Sequence, residues 1–331
     1  MRGLSLSPMI APSTLQPFLG STLSSTDYSG LGKKYVGKVR DVYIQEAKKR
    51  RILIATDRQS AFDILWCQIP LKGQVLSELS SWWFKRIEDI MPTHVIAFPD
   101  PNVTVGKELK MLQVEIVVRG YLTGSSKTAA WTNYAAGMRA FCGNTLPDGM
   151  VKNQAFTSPI ITPTTKGEDD ELIDPAGIVA HGYATKEQWK EIEEKAFALF
   201  ERGQHVARER GLILVDTKYE MGYDEHGVLT VADEVHTPDS SRYWIAESYP
   251  SRFGAKEEPE SLDKEFFRLW LRSQGFEYGG FRPAITDEVR LMLGAKYIDL
   301  YERVTGERFK IPTETNVAER IRKNLEPYMI A

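Results

Sequence analysis

Acids and bases recur at regular spacing in two stretches of the chain. In ILVDTKYEMG (213–222), Asp216, Lys218 and Glu220 stand two residues apart within an apolar run. On a β-strand that spacing puts all three on one face, with Thr217, Tyr219 and Met221 on the other. In VADEVHTPDSSRYW (231–244), a second apolar run ends in Asp233 and Glu234, and Pro238-Asp-Ser-Ser-Arg242 follows. Two carboxylates from neighbouring strands make a hard-oxygen site. Mg2+ favours such a site, taking one or two carboxylates and completing its shell with water and phosphate oxygens. Carboxylates facing each other otherwise repel, and a divalent ion or a lysine removes that cost. Taken alone, the first strand also fits a solvated face with a lysine between two acids. The register that decides is not contained in the sequence.

Three further stretches suit anions. GKVRD (37–41) places Lys38 and Arg40 on one face beside a glycine-led turn, whose backbone N–H groups can approach phosphate oxygens. An edge-strand lysine that discourages aggregation fits the same residues. VVRGYLTGS (117–125) ends a strand at Arg119 and brackets a turn with two glycines before Ser125. Guanidinium, hydroxyl and backbone donors then come together, as they also do in a plain polar loop. Arg242 can hold a phosphate bidentately, and Asp239 can accept hydrogen bonds from an amine or cap a turn.

The surrounding elements read as α+β. Short apolar runs at 34–36, 42–44, 52–55 and 62–66 suggest a small antiparallel sheet, and 75–90 has helical spacing up to Pro92. Residues 131–186 look loop-like. A helix is expected over 186–210, with Trp189, Ile192, Ala196, Leu199 and Val206 on one face and Gly211 as its stop. Strands at 212–221 and 228–235 follow, then helices near 263–273, 287–304 and 314–325. The first 26 residues are Ser/Pro-rich with one arginine and no acid, which reads as a mobile tail or a surface arm.

Composition excludes several function classes. The 331 residues carry a formal charge of −3, so no overall basic field attracts nucleic acid. No apolar run reaches the ~20 residues of a membrane helix. The two cysteines, Cys67 and Cys142, form no CxxC and point to a reducing, cytoplasmic setting. The five histidines show no metal-binding pattern.

The motifs GKVRDVY (37–43), ATDRQSAFD (55–63), VVRGYLTGS (117–125), PTTKGEDD (163–170), GLILVDTKYEMG (211–222), DEVHTPDSSRYW (233–244) and DKEFFRLWL (263–271) together resemble the SAICAR synthetase family, in its longer form. That resemblance implies a two-lobed, ATP-grasp-like α+β fold with a cleft between the lobes and helices at the C-terminus. It divides the chain into a tail or arm (1–26), a nucleotide-binding lobe (27–112) and a mixed lobe with metal and substrate residues (113–331).

It also implies ATP-dependent ligation of L-aspartate to the carboxylate of CAIR, a carboxylated aminoimidazole ribotide, in purine biosynthesis. A small-molecule phosphotransferase on the same scaffold is the alternative. By resemblance, Lys38, Arg40, Lys166 and Lys218 contact the nucleotide, and Glu220 and Asp233 hold Mg2+–ATP. Arg40 stands where short-form members carry lysine. Arg119, Ser125 and Arg242 clamp the ribotide phosphate, and Lys264 lies near the substrates. Lys218, Asp239 and Asp216 are the candidate catalytic residues. The longer form implies a monomer.

Overall fold

The protein's structure, a computed structural model, describes residues 10–167, 170–277 and 279–330. These form two compact units. Unit 1 comprises the described residues of Met1–Trp82, Val95–Glu108 and Leu262–Ala331; unit 2 comprises those of Trp83–His94 and Leu109–Ser261.

Unit 1 is built on a five-stranded antiparallel sheet in the order Lys33–Val36, Arg40–Gln45, Arg50–Ala55, Val103–Lys107, Val95–Asp100. Alternation decides its inner face. Tyr43, Ile52, Ile54, Val103 and Val105 are buried together with Val317, Ile321 and Leu325 from the end of the chain. A hairpin of Arg58–Ala61 and Ile64–Gln68 turns at Phe62 and Asp63, both left-handed with φ of 53° and 59°. Its Ala61 and Phe62 pack with Phe267 and Leu271 of the helix Glu265–Ser273 and with Leu293 of the helix Asp287–Thr305.

Two features depart from the sequence reading. Residues 10–26 form a docked arm and not a mobile tail. The 3-10 helix Pro12–Ser21 buries Leu15 and Phe18, and Leu23 and Thr26 donate backbone N–H bonds to Asp57 and Asp41. Gly294 leaves room for Leu15, whose Cδ1 would lie 2.8 Å from a Cβ built there. The second departure concerns 262–331, assigned from sequence to the second lobe. These residues return to unit 1, because the apolar faces of their helices complete its sheet and hairpin.

Unit 2 is a seven-stranded sheet organised by the long strand Leu212–Tyr223. It pairs antiparallel with Val114–Tyr121, Ser241–Ile245, Leu229–Ala232 and Lys110–Met111 along its length. The helix Lys186–Glu209 starts at a capping box formed by Thr185 and Gln188, and buries Trp189, Ile192, Ala196 and Leu199. The loop-like region 131–186 holds real elements, including the helices Ala130–Ala135 and Pro175–Ala180 and the strand Ala155–Ile161. Each is too short to show a repeat in the sequence. Among the described residues no helix is long and apolar enough to cross a membrane.

Candidate active site

The strand Leu212–Tyr223 carries two clusters of charge. The first surrounds Asp216, which is 4% exposed. In the strand register Asp216 lies opposite both Arg119 and Arg242. Arg242 Nη1 donates to Asp216 Oδ2 at 2.6 Å, and Arg119 Nη1 lies 3.7 Å from the same oxygen. Arg119 also donates from Nε to Thr162 Oγ1 (2.7 Å) and from Nη2 to the carbonyl of Thr128 (3.1 Å), which ties the 122–128 loop to the strand. Burial pulls the pKa of Arg119 down to about 10, with repulsion from Arg242 adding to it and Asp216 opposing it.

Gly124 explains the glycine in LTGS. Its φ is +97°, and a Cβ there would lie 2.8 Å from Ala129 Cβ and 3.1 Å from Arg242 Nη2. Only glycine lets the loop pass this close to the guanidinium. Ser125 follows it in the same loop.

The second cluster begins two residues further along. Lys218 Nζ lies 2.6 Å from Glu115 Oε1 and 3.6 Å from Glu220 Oε1. Lys166 Nζ meets the other Glu220 oxygen at 2.5 Å. Thr164 Oγ1 donates to Glu115 Oε2 at 3.4 Å. Glu220 is paired in register with Ala232, so Asp233 directly follows the end of the neighbouring strand. Burial opposes the charge on Lys218. The carboxylates of Glu115, Glu220 and Asp233 outweigh it and hold the pKa above the ordinary lysine range. The structure therefore gathers Lys166, Lys218, Glu220 and Asp233 with Glu115 in one cluster.

The turn that carries Asp233 and Asp239 is held from beneath. Asp233 and His236 both adopt left-handed backbone, at φ of 63° and 52°. His236 is fully buried. Its ring accepts from or donates to Tyr219 Oη at 2.5 Å through Nε2, and its carbonyl accepts from Tyr243 Oη at 2.8 Å. Burial lowers its pKa to about 3, so the ring is neutral. Glu234 accepts from Thr237 Oγ1, and Ser241 Oγ bonds Thr217 Oγ1 at 2.8 Å. Asp239 is half-buried on this turn.

Lys38, Arg40 and Lys264 belong to unit 1. Lys38 Nζ pairs with Asp63 at 2.6 Å, with both groups exposed. Arg40 opens the second strand of the sheet, and Lys264 Nζ donates to Ser60 Oγ at 3.1 Å. The glycine-led turn between Lys38 and Arg40 is closed by Arg58, which sequence reasoning left without a role. Its guanidinium donates to the carbonyls of Gly37, Lys38 and Ser24 and pairs with buried Asp41 at 2.9 Å.

Glu115 was also missed. The signal was there: a single acid in the apolar run VEIVV, two steps of alternation from Arg119. In the motif PTTKGEDD, Glu168 and Asp169 lie outside the described residues. Among the described residues no three His, Cys, Asp or Glu side chains are grouped to hold a metal, so the candidate metal set remains a carboxylate pair.

An α+β chain that lines one strand with an arginine–carboxylate trio and a lysine–carboxylate row carries the fixed charges that a site for several small anions requires. The family and its fold follow from comparison. A model of the SAICAR synthetase family matches residues 33–282. A phosphoribosylaminoimidazole-succinocarboxamide synthase of Legionella pneumophila (strain Lens) is 49% identical over 301 residues, covering 90% of this chain and 96% of that protein. The solved SAICAR synthase of Saccharomyces cerevisiae, in complex with SAICAR, aligns with a TM-score of 0.76 at 32% identity, covering 88% of this chain and all of that one. A type-2 SAICAR synthetase in complex with ADP aligns at 0.64 and 26% identity, over 84% of this chain and all of that one. The chain belongs to the SAICAR synthetase family, with its ATP-grasp-like fold. It is a ligase of purine biosynthesis, as the motifs implied.

Proposed function

We propose that the enzyme joins the amine of L-aspartate to the carboxylate of CAIR at the expense of ATP, giving SAICAR, ADP and phosphate. In this reading the two clusters of unit 2 seat the ribotide phosphate and the nucleotide phosphates. The observation that carries it is their placement on one strand face. Asp216 and Glu220 are four residues apart, roughly 13 Å of extended chain. An elongated ribotide can anchor its phosphate at one cluster and present its carboxylate near the other.

The chemical obstacle is that a carboxylate resists attack by an amine, because oxide would have to leave. Phosphoryl transfer from ATP supplies a better leaving group, and the amine of aspartate then displaces phosphate. The protein must hold three anions close together, which calls for fixed positive charge. Lys166 and Lys218 neutralise nucleotide phosphate; the assignment of Lys38 and Arg40 to phosphate rests on the family resemblance alone. Arg242 and Ser125 bind the ribotide phosphate, and Arg119 adds charge while holding the loop. Asp239 accepts from the amine of aspartate; the assignment of Lys264 to substrate rests on the family resemblance alone. Asp216 keeps both guanidiniums in place.

A carboxylate pair from neighbouring segments, with the remaining positions left to water and phosphate oxygens, is a donor set that Mg2+ accepts. Glu220 and Asp233 are the residues that would hold the ion. Bound there, it would neutralise charge on the phosphates.

The test is an assay with ATP, Mg2+, CAIR and aspartate, omitting one component at a time. ADP should form only with all four. Full ADP formation without aspartate would indicate the phosphotransferase instead, a reading that the ligase relatives do not favour. Glu220→Gln and Asp233→Asn are expected to fold normally and to lose turnover; normal ADP production by either contradicts the assignment. A cytoplasmic monomer without nucleic-acid partners completes the proposal. Two free cysteines and a charge of −3 support it, and light scattering checks the mass.

A further inference from the structure

We propose that Asn153 is a positioning residue that, through Thr123, fixes the loop 122–128 against Arg242 and so sets the affinity for the ribotide phosphate. The inference rests on the reading of Ser125 and Arg242 as phosphate-binding residues and deepens it. Asn153 falls in none of the family motifs. It is 4% exposed, and its backbone is left-handed at φ 66°, a conformation that asparagine tolerates better than most residues. A buried amide is costly unless it is hydrogen-bonded, and here each polar atom has a partner. The backbone N–H donates to the Leu122 carbonyl at 2.8 Å, and the carbonyl accepts from Tyr249 Oη at 2.7 Å. Oδ1 accepts from Thr123 Oγ1 at 2.6 Å, and Nδ2 donates to Glu258 Oε2 at 3.3 Å. Glu258, itself paired with Lys152, offers only acceptors, which turns the amide nitrogen towards it and the amide oxygen towards Thr123.

Two observations tie this staple to the proposed phosphate site. Thr123 immediately precedes Gly124, where a Cβ would lie 3.1 Å from Arg242 Nη2, so a small shift at 123 changes the gap between loop and guanidinium. Tyr249 stacks on Trp244 with ring centroids 5.4 Å apart, and Trp244 belongs to the strand that carries Arg242. Asn153 thus holds the loop through its side chain and, through its carbonyl, a ring packed on the Arg242 strand. Arg119 holds the far end of the loop at the Thr128 carbonyl. Without the Thr123 bond, the near end keeps its backbone bonds from Asn153 to Leu122 and from Trp131 to Thr123, at 2.8 and 3.1 Å. The fold therefore survives, while the loop gains freedom that phosphate binding must remove.

The experiment separates the substrates. KM for CAIR, KM for ATP and kcat are measured by ADP release for Thr123→Val, Thr123→Ser, Asn153→Gly and the Thr123→Val/Asn153→Gly double variant. Valine keeps the shape of threonine and removes the hydroxyl; glycine keeps the left-handed backbone and removes the amide. Each of these two changes should raise KM for CAIR about five- to tenfold, the scale of one buried hydrogen bond, with KM for ATP and kcat changed less than about twofold. Thr123→Ser keeps the hydroxyl and should restore the parent's KM. The double variant should be no worse than Asn153→Gly alone, because both changes remove the same bond.

Unchanged KM for CAIR in both variants overturns the proposal, as does a lowered Tm with no change in that KM, which marks a structural role only. Equal rises in KM for ATP, or a double variant whose rise is the product of the two single rises, also overturn it. Should one variant fail to fold, the other decides by the same reading. Arg242→Gln serves as the control. If it leaves KM for CAIR intact, the phosphate reading itself fails, and this inference with it. If it raises that KM while the variants at 123 and 153 match the parent, only the present inference fails.

Discussion

Asp216→Asn isolates what the buried carboxylate does for its two arginines. The substitution keeps the size of the side chain and one oxygen that can accept from Arg242. It removes the negative charge between two guanidiniums that repel each other; burial first, and that repulsion second, lower the pKa of Arg119. Asp216 is 4% exposed, so solvent screens little of this. Breaking a buried pair by removing one partner costs ~3–5 kcal/mol, and the retained hydrogen bond returns about 1 kcal/mol. For 331 residues the unfolding entropy is ~0.7 kcal/mol/K, so a net loss of ~3 kcal/mol lowers Tm by roughly 4 °C.

The anion dependence is the sharper readout. In the proposed seating of the ribotide phosphate, inorganic phosphate or CAIR would supply the missing negative charge between Arg119 and Arg242. Either should therefore raise the Tm of the variant more than that of the parent. Differential scanning calorimetry with and without phosphate measures both effects. A Tm fall smaller than about 2 °C, or equal stabilisation of both proteins by phosphate, would refute the reasoning.

Three further outcomes follow from the packing. Gly203→Ala gains up to ~1 kcal/mol of helix propensity, yet its Cβ would lie 2.5 Å from both His236 Cε1 and Leu214 Cδ2, an overpacking that costs ~1–3 kcal/mol. Urea denaturation should show net destabilisation, since Tyr219 pins the histidine ring. Leu15→Ala should cost ~2–5 kcal/mol, because the side chain is fully buried; an unchanged Tm would mean that the N-terminal segment is not docked. The third outcome concerns pH. His236, enclosed by Tyr219, Tyr243 and Trp83, has a folded pKa of about 3, below its ordinary value of 6.5. The unfolded chain binds the proton first, so stability is full above 6.5 and declines as pH falls towards 3. At pH 5 the loss from this group is about 2 kcal/mol, and a His236→Asn variant should lack that part of the pH slope in denaturant titrations.

Much of the site was legible because β-structure alternates. The spacing of Asp216, Lys218 and Glu220 was enough to put them on one face, and the strand places them so. The helices 186–210 and 287–304 were readable from periodicity and stop signals, and Gly306 does end the second in left-handed backbone at φ 71°. Other features gave no such signal. Arg58 looks like an ordinary charge until its guanidinium is seen closing the Gly37–Lys38 turn. The Ser/Pro-rich N-terminus looked loose because a 3-10 helix carries no apolar repeat, yet Leu15 and Phe18 are enough to dock it.

By itself, then, the sequence determined local geometry: which charges share a face, where helices begin and stop, and which family motifs occur. Only the tertiary structure decided the partners. Arg119 and Arg242 converge on Asp216, Glu115 takes Lys218, and the last seventy residues return to the first unit. Periodicity arises from bonds between near neighbours and so survives in any short window. Register, and the choice of which apolar face covers which sheet, depend on segments tens to hundreds of residues apart, and no local pattern records them.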